Sequence, residues 1–394
     1  MTKKWVNIAD VLFFQEGPGV RNTQYTTSGV KLLNVANLVD GKVDLSKSDR
    51  YISEEEAYGK YRHFLCDDGD FVIASSGIKV EYIDKKMGFV DASMLPLCMN
   101  TSTIRFKVLD ENQLRIRYFM YYLKSKHFKE QLTKQITGSA QLNYGPSHLK
   151  KMIMPLIDIT VQDEIISCMD KLQSIIETRQ RELIELDRLM KARFVELFGD
   201  PRSNPFGFEK KRLKDTCKVI TGNTPSRAIA EYYGDYIEWI KTDNIVSGIL
   251  NPTQATESLS EKGMNVGRTV EKDSILMACI AGSIASIGRV CITDRTVAFN
   301  QQINAVVPEQ YNILFLYVLF QMSKDYLVED INMALKGILS KSKLEEKEFI
   351  IPPMDLQEQF SDFVKQVNKS KVAVQKALDE TQILFDSLMQ EYFG

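Results

Sequence analysis

Residues 165–199 read IISCMDKLQSIIETRQRELIELDRLMKARFVELFG, and residues 360–394 read FSDFVKQVNKSKVAVQKALDETQILFDSLMQEYFG. In the first stretch, alternating steps of four and three pick out Ile165, Met169, Leu172, Ile176, Arg179, Leu183, Leu186, Met190, Arg193 and Leu197. The same steps in the second pick out Phe360, Val364, Val367, Lys371, Val374, Leu378, Thr381, Phe385, Leu388 and Tyr392. Every member of the second set lies 195 residues after its counterpart, and both runs close on Phe-Gly, at Gly199 and Gly394. A narrow stripe recurring every 3.5 residues is the seam of a coiled coil, and about 33 helical residues extend roughly 50 Å. Such a seam needs a partner carrying the same stripe. The spacing predicts that the two helices pair with each other, antiparallel, because a linker of about eight residues cannot return the chain along 50 Å. Packing of each helix on its own globular unit is the alternative. Arg179 and Lys371 interrupt the stripe either as register-fixing polar insertions or as stems that snorkel past it, the second being the preferred reading.

The regions ahead of each helix repeat more loosely. Leu32-Leu-Asn-Val-Ala-Asn-Leu-Val-Asp-Gly41 matches Trp239-Ile-Lys-Thr-Asp-Asn-Ile-Val-Ser-Gly248, and Met152-Ile-Met-Pro155 matches Phe349-Ile-Ile-Pro352. The order is globular unit, helix, globular unit, helix. A period this long excludes a solenoid. Short apolar runs at Phe71–Ala74, Ile104–Val108, Ile275–Ala278 and Ile303–Val307 read as strands, with one helix near Arg117–Gln131 and another near Asn312–Val328. The fold class is therefore α+β: two globular domains separated by two long helices that pair as an antiparallel coiled coil with pseudo-two-fold symmetry. The predicted boundaries are 1–157, 158–199, 200–354 and 355–394. Gly199-Asp-Pro-Arg-Ser-Asn-Pro-Phe-Gly207 is the linker between the halves, since its prolines cannot continue a helix.

Composition limits the function. The 394 residues are 44% hydrophobic and 26% charged, which excludes disorder and a small disulfide scaffold. No apolar run is long enough to span a membrane and no secretory leader opens the chain, so a cytoplasmic protein is expected. Six cysteines without a CxxC pair and three scattered histidines indicate neither zinc nor a disulfide framework. The net charge of −2 conceals a division. Residues 1–157 carry 22 basic against 17 acidic side chains, whereas the helical segments 158–199 and 352–394 carry 6 against 9 and 4 against 7. A basic face on the first domain fits that division.

Catalytic motifs are missing. There is no G-x-x-x-x-G-K-[ST] phosphate loop, Asn204-Pro-Phe lacks the second proline of an amino-methyltransferase motif, and Ser75 and Ser76 lack the glycines of a nucleophile elbow. Glu345-Glu-Lys347 has no Pro-Asp pair upstream to make a nuclease site. The chain is expected to catalyse nothing and to show no methyltransferase, nuclease or ATPase activity alone.

Several strings then converge. Thr221-Gly-Asn-Thr-Pro225, Tyr232-Tyr-Gly-Asp-Tyr-Ile-Glu-Trp-Ile240, Thr242-Asp-Asn244, Ala281-Gly-Ser-Ile284, Ile287-Gly-Arg-Val290 and Asn300-Gln301 resemble a target-recognition domain of the specificity subunit of type I restriction-modification enzymes. The runs from Pro155 and Pro352 into helices ending at Gly199 and Gly394 resemble that family's spacer helices. The first unit departs from the pattern, with Glu16-Gly-Pro-Gly19 in place of G-x-T-P and no clear match to Asn300-Gln301. The resemblance implies a non-catalytic DNA-reading subunit. Each domain would read one half of a split double-stranded target, and the helices would fix the gap. It also implies partners: two modification subunits that carry S-adenosylmethionine and methylate adenine, and restriction subunits that use ATP and magnesium. No cofactor is expected in this chain. The competing reading is a coiled-coil protein-interaction scaffold that binds no nucleic acid.

Base edges in the major groove are read by Arg or Lys on guanine and by Asn or Gln on adenine, so polar loops hinged by glycine are the candidate readers. In the first unit these are Arg21, Asn22, Gln24 and Tyr25, then Gln141, Asn143 and Tyr144, with Lys79, Lys85 and Lys86 as phosphate contacts. In the second they are Asn223, Thr224, Ser226, Arg227, Lys241, Thr242, Asn244 and Gln301. Asn300 is more readily a turn residue than a reader.

Overall fold

The computed structural model describes residues 3–136, 143–329, 331 and 337–394. The chain divides into two compact units, Met1–Glu177 with Asp379–Gly394, and Thr178–Leu378. The long helices are therefore not separate segments, as the sequence boundaries had them. Each is shared, its two parts belonging to different units.

The two units follow one plan. In the first, an antiparallel sheet runs in the order Leu12–Glu16, Thr103–Val108, Phe71–Ala74, Met87–Phe89. In the second the order is Cys217–Thr221, Ile303–Pro308, Ile275–Ala278, Val290–Ile292. The expected strands are all present, and their unbroken apolar runs have a cause. Phe71 faces Phe106 and Phe119 on one side of its sheet, while Val72 and Ala74 join a core with Leu33, Leu97 and Met99 on the other. In the second unit Ile275 and Met277 face one core, and Leu276 and Ala278 face another. A strand covered on both faces has no polar alternation to keep.

A second sheet in each unit contains one parallel pair, Val30–Leu33 with Leu97–Met99 and Ile237–Ile240 with Val297–Phe299. A third element closes each unit where its long helix begins. Lys4–Asn7 pairs with Ile153–Leu156, and Lys210–Arg212 pairs with Glu348–Ile350.

The single domain helices expected near 117–131 and 312–328 are each two helices. Ile116–Lys124 is followed by Lys126–Gln135, and Ile313–Met322 by Lys324–Val328. The break falls at a buried serine in both units, Ser125 and Ser323. At Ser125 the hydroxyl accepts from Phe128 N, restarting the helix as an N-cap.

The long helices run Ile159–Phe198 and Met354–Phe393, 40 residues each, longer than the expected 33. In the second unit the late part of one meets the early part of the other. Phe360 lies 5.6 Å from Phe194 and 5.5 Å from Phe198, and Lys371 Nζ reaches Asp187 at 2.7 Å. That order of contacts is antiparallel. The predicted seam positions Ile165, Met169, Leu172, Ile176, Phe360, Val364, Val367 and Phe385 are buried. Leu183, Leu186, Leu197, Leu378 and Leu388 are only half-buried. Phe194 and Phe198 take the fully buried places expected of Arg193 and Leu197. A straight helix turns every 3.6 residues and drifts about 20° per heptad from a 3.5 seam, so burial steps by four from Met190 to Phe194 and Phe198. Those rings also pack on their own domain, Phe198 lying 4.8 Å from Phe315. In the first unit Phe393 and Phe385 do the same against Tyr118 and Tyr121. Pairing and packing on the domain both occur. Lys371 does not snorkel past the seam: its ammonium also donates to the Gly248 carbonyl at 2.8 Å, the polar-insertion alternative.

The linker is ordered by its own side chains. Asp200 accepts from Arg202 N and Ser203 N, both at 2.9 Å, and Asn204 Oδ1 accepts from Phe208 N. Gly199 has φ +69°, and a Cβ there would meet Pro205 Cγ at 2.3 Å. Only glycine fits.

Candidate nucleic-acid interface

The two units share a matching turn in which glycine is pressed against backbone. A Cβ on Gly222 would stand 2.1 Å from the Asn300 carbonyl oxygen, and one on Gly17 would stand 2.0 Å from that of Asn100. Gly222 N donates to Ile303 O at 3.0 Å, and Gly17 N to Thr103 O at 2.9 Å. Beside these contacts Asn300 Oδ1 accepts from Gln302 N, as Asn100 Oδ1 accepts from Thr101 N. The first unit therefore does contain the counterpart of Asn300, and Glu16-Gly-Pro-Gly19 forms the same turn as Thr221-Gly-Asn-Thr-Pro225. Letter-by-letter comparison missed this because only the glycine and the asparagine are fixed by geometry.

Around the second unit's turn the candidate readers gather. Thr224 donates its hydroxyl to Gln301 Oε1 on an exposed edge, and Ser226 is exposed beside them. Arg227 lies over the rings of Tyr233 at 4.5 Å and Trp239 at 5.2 Å, and its guanidinium meets Glu257 at 2.6 Å. Lys241 lies over Trp239 from 5.2 Å and meets the same carboxylate at 2.5 Å. Hydrogen bonds from Lys241 and then from Arg227 hold the Glu257 carboxyl below its ordinary value. The result is two cations on an aromatic platform, steered by one anion. Thr242 is half-buried, and its carbonyl accepts from Arg289.

Two residues expected to read bases are occupied otherwise. Asn223 donates to Val266 O and accepts from Arg268 N, both at 2.8 Å, which tethers the turn. Asn244 is buried; it accepts from Lys241 N and donates to Gln254 O, capping a single helical turn. Short amides commonly satisfy local backbone in this way.

In the first unit Arg21 and Asn22 are exposed. Gln24 is committed to structure, accepting from Arg21 N and donating to Glu56 and the Tyr61 hydroxyl. The Tyr25 hydroxyl accepts from Arg50 at 3.4 Å and Asn100 at 3.5 Å. Lys79 and Lys85 are exposed on a loop hinged at Gly77 (φ +74°), where Lys79, Lys85, Lys86 and Tyr82 line a groove of about 520 Å³. Asn143 is exposed and bridges to Ser76. Tyr144 is not a reader: it is buried, and its hydroxyl donates to Ala74 O at 3.0 Å. Gln141 lies outside the described residues. Sequence reading also overlooked Arg50 in the first unit and Trp239 and Glu257 in the second, which meet their own unit's partners only through strand register.

Among the described residues no group of three His, Cys, Asp or Glu could hold a metal ion. Burial pushes the thiols of Cys66, Cys98, Cys217, Cys279 and Cys291 up to about 12, so they stay protonated. No helix among the described residues is long and apolar enough to cross a membrane.

A duplicated α+β fold with exposed cationic and amide-bearing turns in each unit defines a two-domain recognition protein. Residues 18–188 and 205–381 each match the family model described as the type I restriction modification DNA specificity domain, and the chain belongs to that family. It is a type I DNA-specificity subunit, the non-catalytic member of such a system. It is 33% identical over 146 residues to the HindI specificity subunit of Haemophilus influenzae, a match covering 36% of this chain and 31% of that one. With the MjaIX specificity subunit of Methanocaldococcus jannaschii it shares 23% identity over 326 residues, 77% of this chain and 73% of the relative. The fold is similar to that of the S subunit from M. genitalium, with a TM-score of 0.59 at 14% identity, covering 100% of this chain and 96% of that one. A chain from a structure of type I R-M complex assembly and conformational transition gives a TM-score of 0.56 at 15% identity over 99% of this chain and 97% of that one.

Proposed function

We propose that each unit reads one half of a split double-stranded DNA target and that the length of the two long helices sets the unread gap between the halves. The observation that carries this reading is the repeated turn at Gly17 and Gly222, each beside a tyrosine covered by an arginine. Arginine forks match guanine O6 and N7, and planar cations on rings are held in place before DNA arrives. The lysines of the Gly77 loop then serve phosphates. The chain works in the cytoplasm with two modification subunits, which supply S-adenosylmethionine and methylate adenine, and with restriction subunits that use ATP and magnesium. Co-expression of the chain with the modification subunit of its system in a methylation-free host, followed by methylome sequencing, tests the proposal. A methylated motif of two short blocks around a fixed gap is expected. A single uninterrupted block, or no methylation, overturns it.

A further inference from the structure

The two recognition folds can be superposed residue by residue through their hydrogen bonds. Lys31 pairs with Tyr51 as Glu238 pairs with Ser258, and Val30 with Ile52 as Ile237 with Leu259. Leu32 N donates to the Arg50 carbonyl, and Trp239 N donates to the Glu257 carbonyl. Arg50 therefore occupies the place of Glu257. The same register equates Tyr25 with Tyr233: Thr26 bridges Tyr51 as Gly234 bridges Ser258, and each tyrosine closes a single helical turn, Asn22–Gln24 or Ala230–Tyr232.

Between the pinned glycine and that turn the second unit has seven residues, 223–229, and the first has four, 18–21. The additional residues bring Arg227 over Tyr233. The shorter loop, Pro18-Gly-Val-Arg21, holds one cation, the exposed Arg21 at the place of Ile229, and it is Arg50 that covers the equivalent tyrosine, 5.3 Å from the Tyr25 ring. In the second unit Glu257 clamps the arginine that the loop provides. In the first, the arginine stands just ahead of the strand Tyr51–Ile52, at the clamp's own position, and among the described residues no carboxylate lies within ion-pair distance of it.

From this exchange we infer that Arg50 is a specificity-determining DNA contact of the first unit, the functional equivalent of Arg227, presented to a base edge from the Tyr25 ring. The inference rests on the reading that each unit recognises half of a split target. An exposed arginine stacked on tyrosine, with no anion to satisfy it, keeps its fork free for O6 and N7 of guanine. Glu257 is correspondingly a positioning residue that aims Arg227.

The test uses the full chain co-expressed with its modification subunit, comparing wild type, Arg50→Ala, Arg50→Lys and Arg227→Ala by methylome sequencing. If wild type methylates no split motif, the underlying reading fails. Given a split motif, Arg227→Ala marks the half read by the second unit. Arg50→Ala is then expected to lower discrimination about 10- to 100-fold at one or two positions of the other half only, the effect of losing a bidentate base contact. Arg50→Lys, which keeps the charge without the fork, should not restore it. Arg50 is exposed, so folding should be unaffected, and a thermal melt of each complex verifies this. An unchanged motif, loss spread evenly over both halves, full rescue by lysine, or degeneracy in the half marked by Arg227→Ala overturns the inference.

Discussion

At the scale of single residues, the candidate interface separates side chains that hold the fold from side chains that are held by it. Asn223 and Arg227 sit four residues apart in one loop, yet Asn223 spends both ends of its amide on backbone while Arg227 presents a clamped fork. Arg227→Ala should relax one half of the recognised motif by about 1–3 kcal/mol of discrimination. Asn223→Ala should instead untether the loop from Val266 and Arg268 and weaken the whole half-site, and methylation assays on single-base variants of the motif tell the two outcomes apart. If Asn223→Ala changed a single base preference, the tether assignment would be wrong. The clamp also has a pH signature. Glu257 is held below its ordinary value of 4.5, so its ion pairs are fully formed above that value and are lost as pH falls through the depressed one. Trp239 emission, followed in a Trp5→Phe background, should be flat from neutral pH to about 4.5 and change below it, and Glu257→Gln should remove the transition. These roles were only partly legible in sequence. Residue type made Arg227 and Lys241 candidate readers, but nothing local points to Arg50 or Glu257, because their surroundings come from strands paired across long loops. Tyr144 and Asn244 misled for the opposite reason: an amide or hydroxyl near glycine looks the same whether it faces water or caps a buried turn.

At the scale of elements, the heptad run announced both helices because an apolar stripe on a long helix has little explanation except a partner. It misplaced the deepest contacts, since the letters cannot show where a coiled-coil seam gives way to packing on a domain. Phe194, Phe198, Phe315 and Phe360 form that junction in the second unit, with ring centroids 4.8–6.5 Å apart. Phe194 is fully buried, so Phe194→Ala should cost about 3–5 kcal/mol, the transfer term plus an unfilled cavity. Leu183→Asp, at a half-buried position, should cost clearly less, because its carboxylate keeps much of its hydration. Urea unfolding read at constant slope measures both. Equal losses, or a loss below about 1 kcal/mol for Phe194→Ala, would place the anchor of the helix pair in the leucine seam instead.

At the scale of the whole chain, the duplication explains why the fold could be read at all. Two copies of one plan have diverged in sequence while keeping features that geometry demands, among them the pressed glycine, the turn asparagine, the doubly covered strand and the helix ending in Phe-Gly. The copies also differ among the candidate readers, as the exchange of Arg50 for Glu257 illustrates. The quantity the two halves share is helix length, and the ruler proposal makes that length the variable that sets the gap in the target. Removing one heptad from each helix, residues 176–182 and 372–378, keeps the apolar stripe in phase and spares Lys371. It shortens each helix by about 10 Å, or roughly 3 bp of B-DNA. Because about 10 bp make one turn, a loss of 3 bp also rotates one half-site by roughly 100° around the duplex. The shortened chain should therefore either methylate the same two half-sequences across a smaller gap or lose recognition altogether. Removal of seven residues from one helix alone should disrupt the pairing, since facing positions beyond the deletion would slip by seven residues and no longer meet. Methylome sequencing of both variants decides the matter: the original motif with its original gap, written by the doubly shortened chain, would mean that something other than helix length measures the DNA.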